Sequence, residues 1–81
     1  MNWDQYRYFL AVAECGSLSA AARSLGVSQP TVGRQINDLE ARLGAKLFVR
    51  ESHGYSLTPA GSQILTKAKA LALDVSRIER L

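Results

Sequence analysis

This sequence is poor in the residues that hold many small domains together by covalent or metal links. Cys15 is its only cysteine and His53 its only histidine, which excludes an intramolecular disulfide and a four-ligand zinc site. No run of about 18 apolar residues is present to cross a bilayer, and the amino terminus lacks a basic, apolar leader. We therefore expect a soluble, cytoplasmic protein without metal, cofactor or membrane partner, stabilised by packing.

Size and charge narrow the possible functions further. A chain of 81 residues forms one modest domain, too small to enclose a large active site. Hydrolysis and group transfer need a positioned nucleophile with a base, or a metal. The lone His53 beside Ser52 supplies neither, so we predict that the protein is not an enzyme. The net charge is +3, and all of it arises in residues 46–81. This mild basicity permits a nucleic-acid partner without requiring one.

Two short amphipathic helices are predicted in the first part of the chain. Asn2 and Gln5 have the spacing of a capping box, and Gly16 ends the helix that follows. The apolar stripe of this helix consists of Trp3, Tyr6, Phe9, Leu10 and Ala13. Ser17 is placed as the N-cap of the second helix, and Gly26 terminates it.

A third helix is predicted from Gln29 to Leu43, with Ser28 as its N-cap and Pro30 in its first turn. Its predicted buried face consists of Val32, Ile36, Leu39 and Leu43. The opposite face carries Pro30, Arg34, Asn37 and Ala41. Two helices joined by a short turn containing glycine, the second with a polar outer face, are typical of a helix-turn-helix, here about residues 18–37.

The hydrophobic period changes after the third helix. Leu47–Val49 and Tyr55–Leu57 are predicted strands, joined by a turn at Glu51–Gly54. A two-stranded ribbon that follows a helix-turn-helix is called a wing, and we expect it at about residues 46–57.

A long helix over residues 59–81 is predicted next, with Thr58 as N-cap and Pro59 at its first position. Apolar residues recur along it at heptad spacing, namely Ile64, Ala68, Leu71, Val75 and Ile78. The stripe indicates either packing against the preceding domain or pairing with a partner helix, and its length of about three heptads favours the partner. No terminating residue follows before Leu81, so we expect a piece of a longer protein.

These motifs resemble the amino-terminal DNA-binding region of the LysR-type transcriptional regulators. The resemblance spans nearly the whole chain and rests on Phe9, Ala11-Val12-Ala13-Glu14, Gly16-Ser17-Leu18, Ala21-Ala22, Leu25, Val27-Ser28-Gln29-Pro30, Arg34-Gln35-Ile36, Leu39-Glu40, Leu43-Gly44, Leu47-Phe48, Arg50, Leu57-Thr58 and Ala60-Gly61. It implies a mainly α winged helix-turn-helix at residues 1–58, with three helices and a small wing. It also implies a linker helix at 59–81 that forms a homodimer, and a small-molecule effector domain that is absent from these residues.

The resemblance implies a double-stranded DNA partner, and a dimer would bind an imperfect inverted repeat. On the third helix, which fits a major groove, Arg34 suits guanine, Gln29 suits adenine and Pro30 suits a thymine methyl. Lys46 is placed to contact phosphate beside the groove. The full set of predicted DNA-contacting residues is Ser28, Gln29, Pro30, Thr31, Gly33, Arg34, Asn37, Arg50, His53 and Gly54.

The chain departs from the usual family pattern at four positions. Trp3 and Tyr6 replace leucines, which changes only core volume. Gly33 stands where serine is common, so it either brings the helix closer to DNA or gives up a serine contact. His53 stands where arginine is common in the wing, and it either reaches a narrow minor groove or is a solvated turn residue.

A winged helix that binds protein is the main rival interpretation. DNA binding must weaken with salt through counterion release, whereas an apolar protein contact should not. Cys15 lies beside Glu14 at a predicted helix end and has no neighbouring cation, so a redox role is not expected.

Overall fold

In the computed structural model, which describes residues 3–81, three helices are followed by a two-stranded sheet and a fourth helix. The elements are α1 (Trp3–Cys15), α2 (Leu18–Leu25), α3 (Gln29–Leu43), β1 (Phe48–Glu51), β2 (Gly54–Leu57) and α4 (Pro59–Glu79). This architecture confirms the predicted winged helix-turn-helix with a long carboxy-terminal helix. No helix in the described part of the chain is long and apolar enough to cross a membrane. The predicted capping role of Asn2 lies outside the described residues.

Local capping chemistry sets the helix boundaries. The hydroxyls of Ser17, Ser28 and Thr58 each accept a backbone N–H from three residues later, at 3.1, 3.3 and 3.0 Å. These bonds satisfy donors that an α-helix cannot pair within itself. Gly26 and Gly44 adopt a left-handed φ of 70° at the ends of α2 and α3, which is the usual glycine stop. The predicted starts of α2, α3 and α4 are therefore confirmed.

The core lies where α1, α2, α3 and the base of the sheet meet. Its largest fully buried side chains are Phe9, Val12, Val32, Leu39 and Leu47. The predicted stripe of α1 was partly wrong, because Phe9 is buried while its other four residues are half-buried. Gln5, Ala11 and Val12 are buried in their place, since α1 packs against all three other helices. The Gln5 Oε1 atom accepts a hydrogen bond of 2.7 Å from Arg42.

The wing is shifted slightly from its predicted position. The strands are antiparallel, and Glu51 pairs with Gly54 at the tip, so these two residues belong to the ladder and only Ser52 and His53 form the loop. The first strand begins at Phe48 rather than Leu47, and it runs through Glu51. Leu47 is instead a fully buried core residue.

Two contacts fix the wing against the helical domain. The Phe48 ring packs on Phe9, with centroids 5.3 Å apart. The Tyr55 N–H donates to the Gly16 carbonyl at 2.8 Å, in the turn between α1 and α2. Gly54 has a φ of 144°, and a β-carbon there would overlap the same Gly16 carbonyl. A glycine is therefore required at this point for the wing to close onto the turn.

The long helix α4 runs back along α1, but its apolar stripe is only partly covered. Tyr6 lies beside the Ile64 to Leu71 part of α4, and Trp3 lies beside Val75. Ala68 is 3% exposed, whereas Ile78 is 66% exposed. The stripe is thus partly packed against the domain and partly exposed. Packing against the preceding domain holds for its covered part, and pairing of the exposed part with a partner helix stays a prediction.

One predicted buried position and one predicted helix end were wrong. Leu43, expected on the buried face of α3, is 38% exposed, because the helix ends there and the chain turns away at Gly44. The fourth helix ends at Glu79 instead of continuing to Leu81.

Candidate nucleic-acid interface

The first half of α3 presents a polar surface to solvent. Gln29, Pro30, Arg34 and Asn37 are exposed. Pro30, Arg34 and Asn37 lie on the side of the helix opposite the buried Val32. Within residues 3–81 the Gln29, Arg34 and Asn37 side chains have no hydrogen-bond or ion-pair partner. Their donors and acceptors are therefore available to a bound molecule.

Ser28 and Thr31 at the start of α3 already have structural partners. The Ser28 hydroxyl accepts the Thr31 N–H, and the two hydroxyl oxygens lie 2.8 Å apart. Both hydroxyls retain further hydrogen-bonding capacity, since each oxygen has two lone pairs and one proton. The first turn of α3 contains no acidic residue, so the positive end of its dipole is not neutralised and suits an anion such as phosphate.

An open groove separates α3 from the wing. It is lined by Gly33 and Asn37 on the helix, by Lys46 before the wing, and by Arg50 and Tyr55 on the strands. Arg50 pairs with Tyr55 in the register, and its guanidinium carbon lies 5.9 Å from the centre of the tyrosine ring. The structure thus brings together three residues that the sequence placed in the DNA-contacting set, Gly33, Asn37 and Arg50.

The glycine in α3 is not explained by packing within the domain. A β-carbon at Gly33 would lie 3.6 Å from Leu18 Cδ1, an ordinary van der Waals contact. The domain itself would accept alanine at this position, so the reason for glycine has to be sought outside the packed core.

At the wing tip, the His53 ring lies beside the Glu51 carboxylate. The His53 side chain is 85% exposed, and its Nε2 atom lies 3.8 Å from Glu51 Oε2, while Nδ1 lies 3.0 Å from the Ser52 hydroxyl. The Ser56 hydroxyl donates to Glu51 Oε1 at 2.6 Å. His53 is therefore free to reach a partner, but a carboxylate stands next to it. Gly54, in contrast, is accounted for by its contact with Gly16.

Sequence reasoning missed several residues that support this surface. Glu40 is buried and bonds to the wing base, and Thr58 bonds to Lys46 as well as capping α4. The sequence pattern predicts Tyr55 only as a strand residue, although its ring lies beneath the Arg50 guanidinium. Nothing in the local pattern separates Glu40 from an ordinary solvated helix glutamate, because its partner is seven residues away in a turn.

The chain matches a known family over most of its length. The model of the bacterial regulatory helix-turn-helix proteins, lysR family, matches residues 3–62. The HTH-type transcriptional regulator TfdS of Cupriavidus pinatubonensis is 51% identical over 77 residues, covering 95% of this chain and 26% of that protein. ClcR of Pseudomonas putida is 49% identical over 81 residues, covering 100% of this chain and 27% of that protein. The chain therefore spans about a quarter of the length of these regulators.

Solved structures with the same fold include domains bound to DNA. The CbnR DNA-binding domain in complex with DNA has a TM-score of 0.91 and 42% identity, covering 99% of this chain and 92% of that one. The BenM DNA-binding domain in complex with benA site 1 DNA has a TM-score of 0.93 and 36% identity, covering 99% of this chain and 93% of that one. These similarities cover the helices, the wing and the long fourth helix together.

Proposed function

The chain belongs to the LysR family of bacterial regulatory helix-turn-helix proteins, and on that premise we propose that its DNA-binding domain reads a specific double-stranded sequence as a homodimer. Helix α3 enters the major groove, and the wing lies over the adjacent minor groove. The observation that carries this proposal is the exposed surface of α3, where the Gln29, Arg34 and Asn37 side chains have no hydrogen-bond or ion-pair partner within residues 3–81.

The residues divide by the part of DNA that each can reach. Arg34 forms a bidentate fork to guanine, and Gln29 pairs with adenine, since these are the pairings that the side-chain geometries favour. Pro30 contacts a thymine methyl, and Asn37 faces the same groove from the next turn of α3.

The remaining contacts hold the backbone of the DNA. Ser28 and Thr31 bind phosphate at the positive end of α3. Arg50 and Lys46 bind phosphate where the wing meets the groove, and Tyr55 supports the Arg50 guanidinium. Gly33 permits close approach of the helix to the DNA, and His53 extends from the wing tip toward the minor groove.

The homodimer uses the part of the α4 stripe that the domain leaves free. Leu71 and Val75 are half-buried and Ile78 is exposed, and Ile64 extends the same edge beside Tyr6. Ala68, which the sequence places in the dimer stripe, is covered by its own domain, so it is not available to the partner. Two such domains bind an imperfect inverted repeat with recognition helices about 34–36 Å apart.

The rest of the protein's behaviour follows from this role. A protein that binds chromosomal DNA in a bacterium works in the cytoplasm. The effector-binding domain implied by the family lies beyond this chain, and a small molecule acts on DNA binding only through that domain. The intact regulator assembles beyond the dimer.

Selection from a pool of randomised duplexes, followed by titration of the recovered duplex and a scrambled one, tests the proposal. We expect enrichment of an inverted repeat, tighter binding to it than to the scrambled duplex, and affinity that falls with salt by a logarithmic slope of about −0.9 per phosphate contacted. A pool without enrichment, or salt-independent binding to a protein partner, would instead support the rival role in protein contacts.

A further inference from the structure

Glu40 is a buried residue that accepts hydrogen bonds from the turn between the recognition helix α3 and the wing. The Glu40 carbonyl accepts the N–H groups of Gly44 and Ala45 at 2.8 and 3.2 Å. Its carboxylate accepts the Leu47 N–H at 2.8 Å, and the side chain is 9% exposed. Lys46 Nζ lies 3.6 Å from Glu40 Oε1, but the Lys46 side chain is 80% exposed. An ion pair with so exposed a partner contributes little to stability. Three N–H groups of this turn thus depend on Glu40.

The residues at the start of α4 contact Lys46 and Leu47 from the other side. The Thr58 hydroxyl donates to the Lys46 carbonyl at 2.6 Å, and the Thr58 N–H donates to the Leu47 carbonyl at 3.0 Å. Gly61 packs so closely against the Leu47 carbonyl that a β-carbon would overlap it. Lys46 and Leu47, which together we call the joint, are therefore bonded to α3 through Glu40 and to the start of α4 through Thr58.

We propose that Glu40 and Thr58 are positioning residues that, through the joint, fix the angle between the recognition helix and the linker helix. This angle sets the half-site spacing that the dimer accepts. The inference rests on the proposed function, since it concerns a dimer on DNA. Apolar contacts between α4 and α1 hold the helix on the domain, but apolar burial is not directional. The hydrogen bonds at the joint supply the direction.

The length of α4 makes the angle at the joint important. The helix has 21 residues, roughly 32 Å at a rise of 1.5 Å per residue. A tilt of about 6° at its base displaces its far end by about 3 Å, close to the 3.4 Å step of one base pair. A small loosening at Thr58 is therefore enough to change which spacing the second domain meets.

Four variants separate the positioning role from general stability. Thr58→Asp keeps an N-cap acceptor for α4 but cannot donate to the Lys46 carbonyl, whereas Thr58→Ser keeps both functions. Glu40→Met removes the acceptor for the Leu47 N–H, whereas Glu40→Gln keeps one. Circular dichroism at the assay temperature establishes that each variant is folded.

The readout is affinity for duplexes that carry two copies of the selected half-site, inverted and separated by spacers that differ by single base pairs. A duplex with one half-site is the reference. We expect the wild type, Thr58→Ser and Glu40→Gln to prefer one spacing by about tenfold, the effect of one good contact. Thr58→Asp and Glu40→Met should lose most of that preference and bind the single half-site as the wild type does.

Each other outcome overturns the inference. An unchanged spacing profile in Thr58→Asp and Glu40→Met, or an equal loss on every duplex including the single half-site, means that these residues serve stability alone. A wild type that binds the half-site but shows no preferred spacing also refutes the joint, while leaving the proposed DNA binding intact. A wild type that binds no duplex refutes the proposed function itself.

Discussion

Replacing the two glycines inside helices by alanine should have opposite effects on stability. Gly33 and Gly61 both lie within helices, where alanine is favoured over glycine by about 1 kcal/mol in a helix interior. The surroundings differ, because a β-carbon at position 33 meets Leu18 Cδ1 at 3.6 Å, whereas one at position 61 overlaps the Leu47 carbonyl.

For Gly33→Ala we expect the free energy of unfolding to rise by about 1 kcal/mol, and the melting temperature by roughly 4–8 °C for a domain of this size. For Gly61→Ala the backbone of α4 or of the joint must move, and we expect a net loss of about 1–3 kcal/mol, as for other overpacked sites. Gly61 is the third residue of α4, so its gain in helix propensity is also smaller.

Urea denaturation of both variants and the wild type, at one protein concentration, measures the two changes. A common concentration is needed because any self-association contributes to apparent stability. If Gly33→Ala were destabilising, or if Gly61→Ala were neutral, the argument from β-carbon contacts would be refuted. The equilibrium slopes should agree among the three proteins, since each exposes the same surface on unfolding.

The same Gly33 variant distinguishes the two reasons for its glycine. If the helix backbone approaches the DNA closely, Gly33→Ala and Gly33→Ser both weaken binding to the selected duplex while stabilising or preserving the fold. If this chain merely lacks a serine contact, Gly33→Ser strengthens binding and Gly33→Ala leaves it nearly unchanged. Titration of the three proteins against one duplex decides between them.

Three further predictions concern the DNA and dimer surfaces. Arg34→Ala should weaken binding to the selected duplex by about 1–3 kcal/mol and weaken binding to a scrambled duplex less. The control Arg7→Ala, which makes the same charge change on α1, should alter binding to neither duplex. Equal losses on both duplexes for Arg34→Ala would make Arg34 a phosphate contact. Ile78→Asp should lower the molecular mass measured by sedimentation, because a charge in the apolar stripe is costly to bury. Lys69→Asp, on the opposite side of α4, should leave the mass unchanged. An unchanged mass for Ile78→Asp would mean that the stripe does not form the dimer. If the wing tip gains a phosphate contact, His53→Arg should make the slope of log affinity against log salt concentration more negative by about 0.9. An unchanged slope would place the wing tip away from DNA.

The features that sequence predicted well are those with local causes. The starts of α2, α3 and α4 depend on a hydroxyl that accepts an N–H three residues later, a spacing that is visible in the chain. The stops at Gly26 and Gly44 require a left-handed backbone, which glycine adopts most readily. These signals do not depend on what the helices pack against.

The features that were missed have causes elsewhere in the chain. The buried residues of α1 could not be read from one stripe, because three other helices cover it and the polar Gln5 is buried with Arg42 as its partner. The role of Gly54 depends on the carbonyl of Gly16, 38 positions earlier in the chain. The sequence predicts a wing loop of four residues where the structure has two, because both strands lack strong alternation near the tip.

The residues that maintain the fold differ from those that we propose contact DNA. Residues that hold the wing and helices together, such as Glu40 and Gly61, are buried and contact other parts of the domain. Arg34 and Asn37 have no hydrogen-bond or ion-pair partner within residues 3–81, so substituting them removes no such bond from the described fold. If the proposed roles are correct, substitutions on α3 alter specificity at little cost in stability, whereas a change in half-site spacing disturbs the joint.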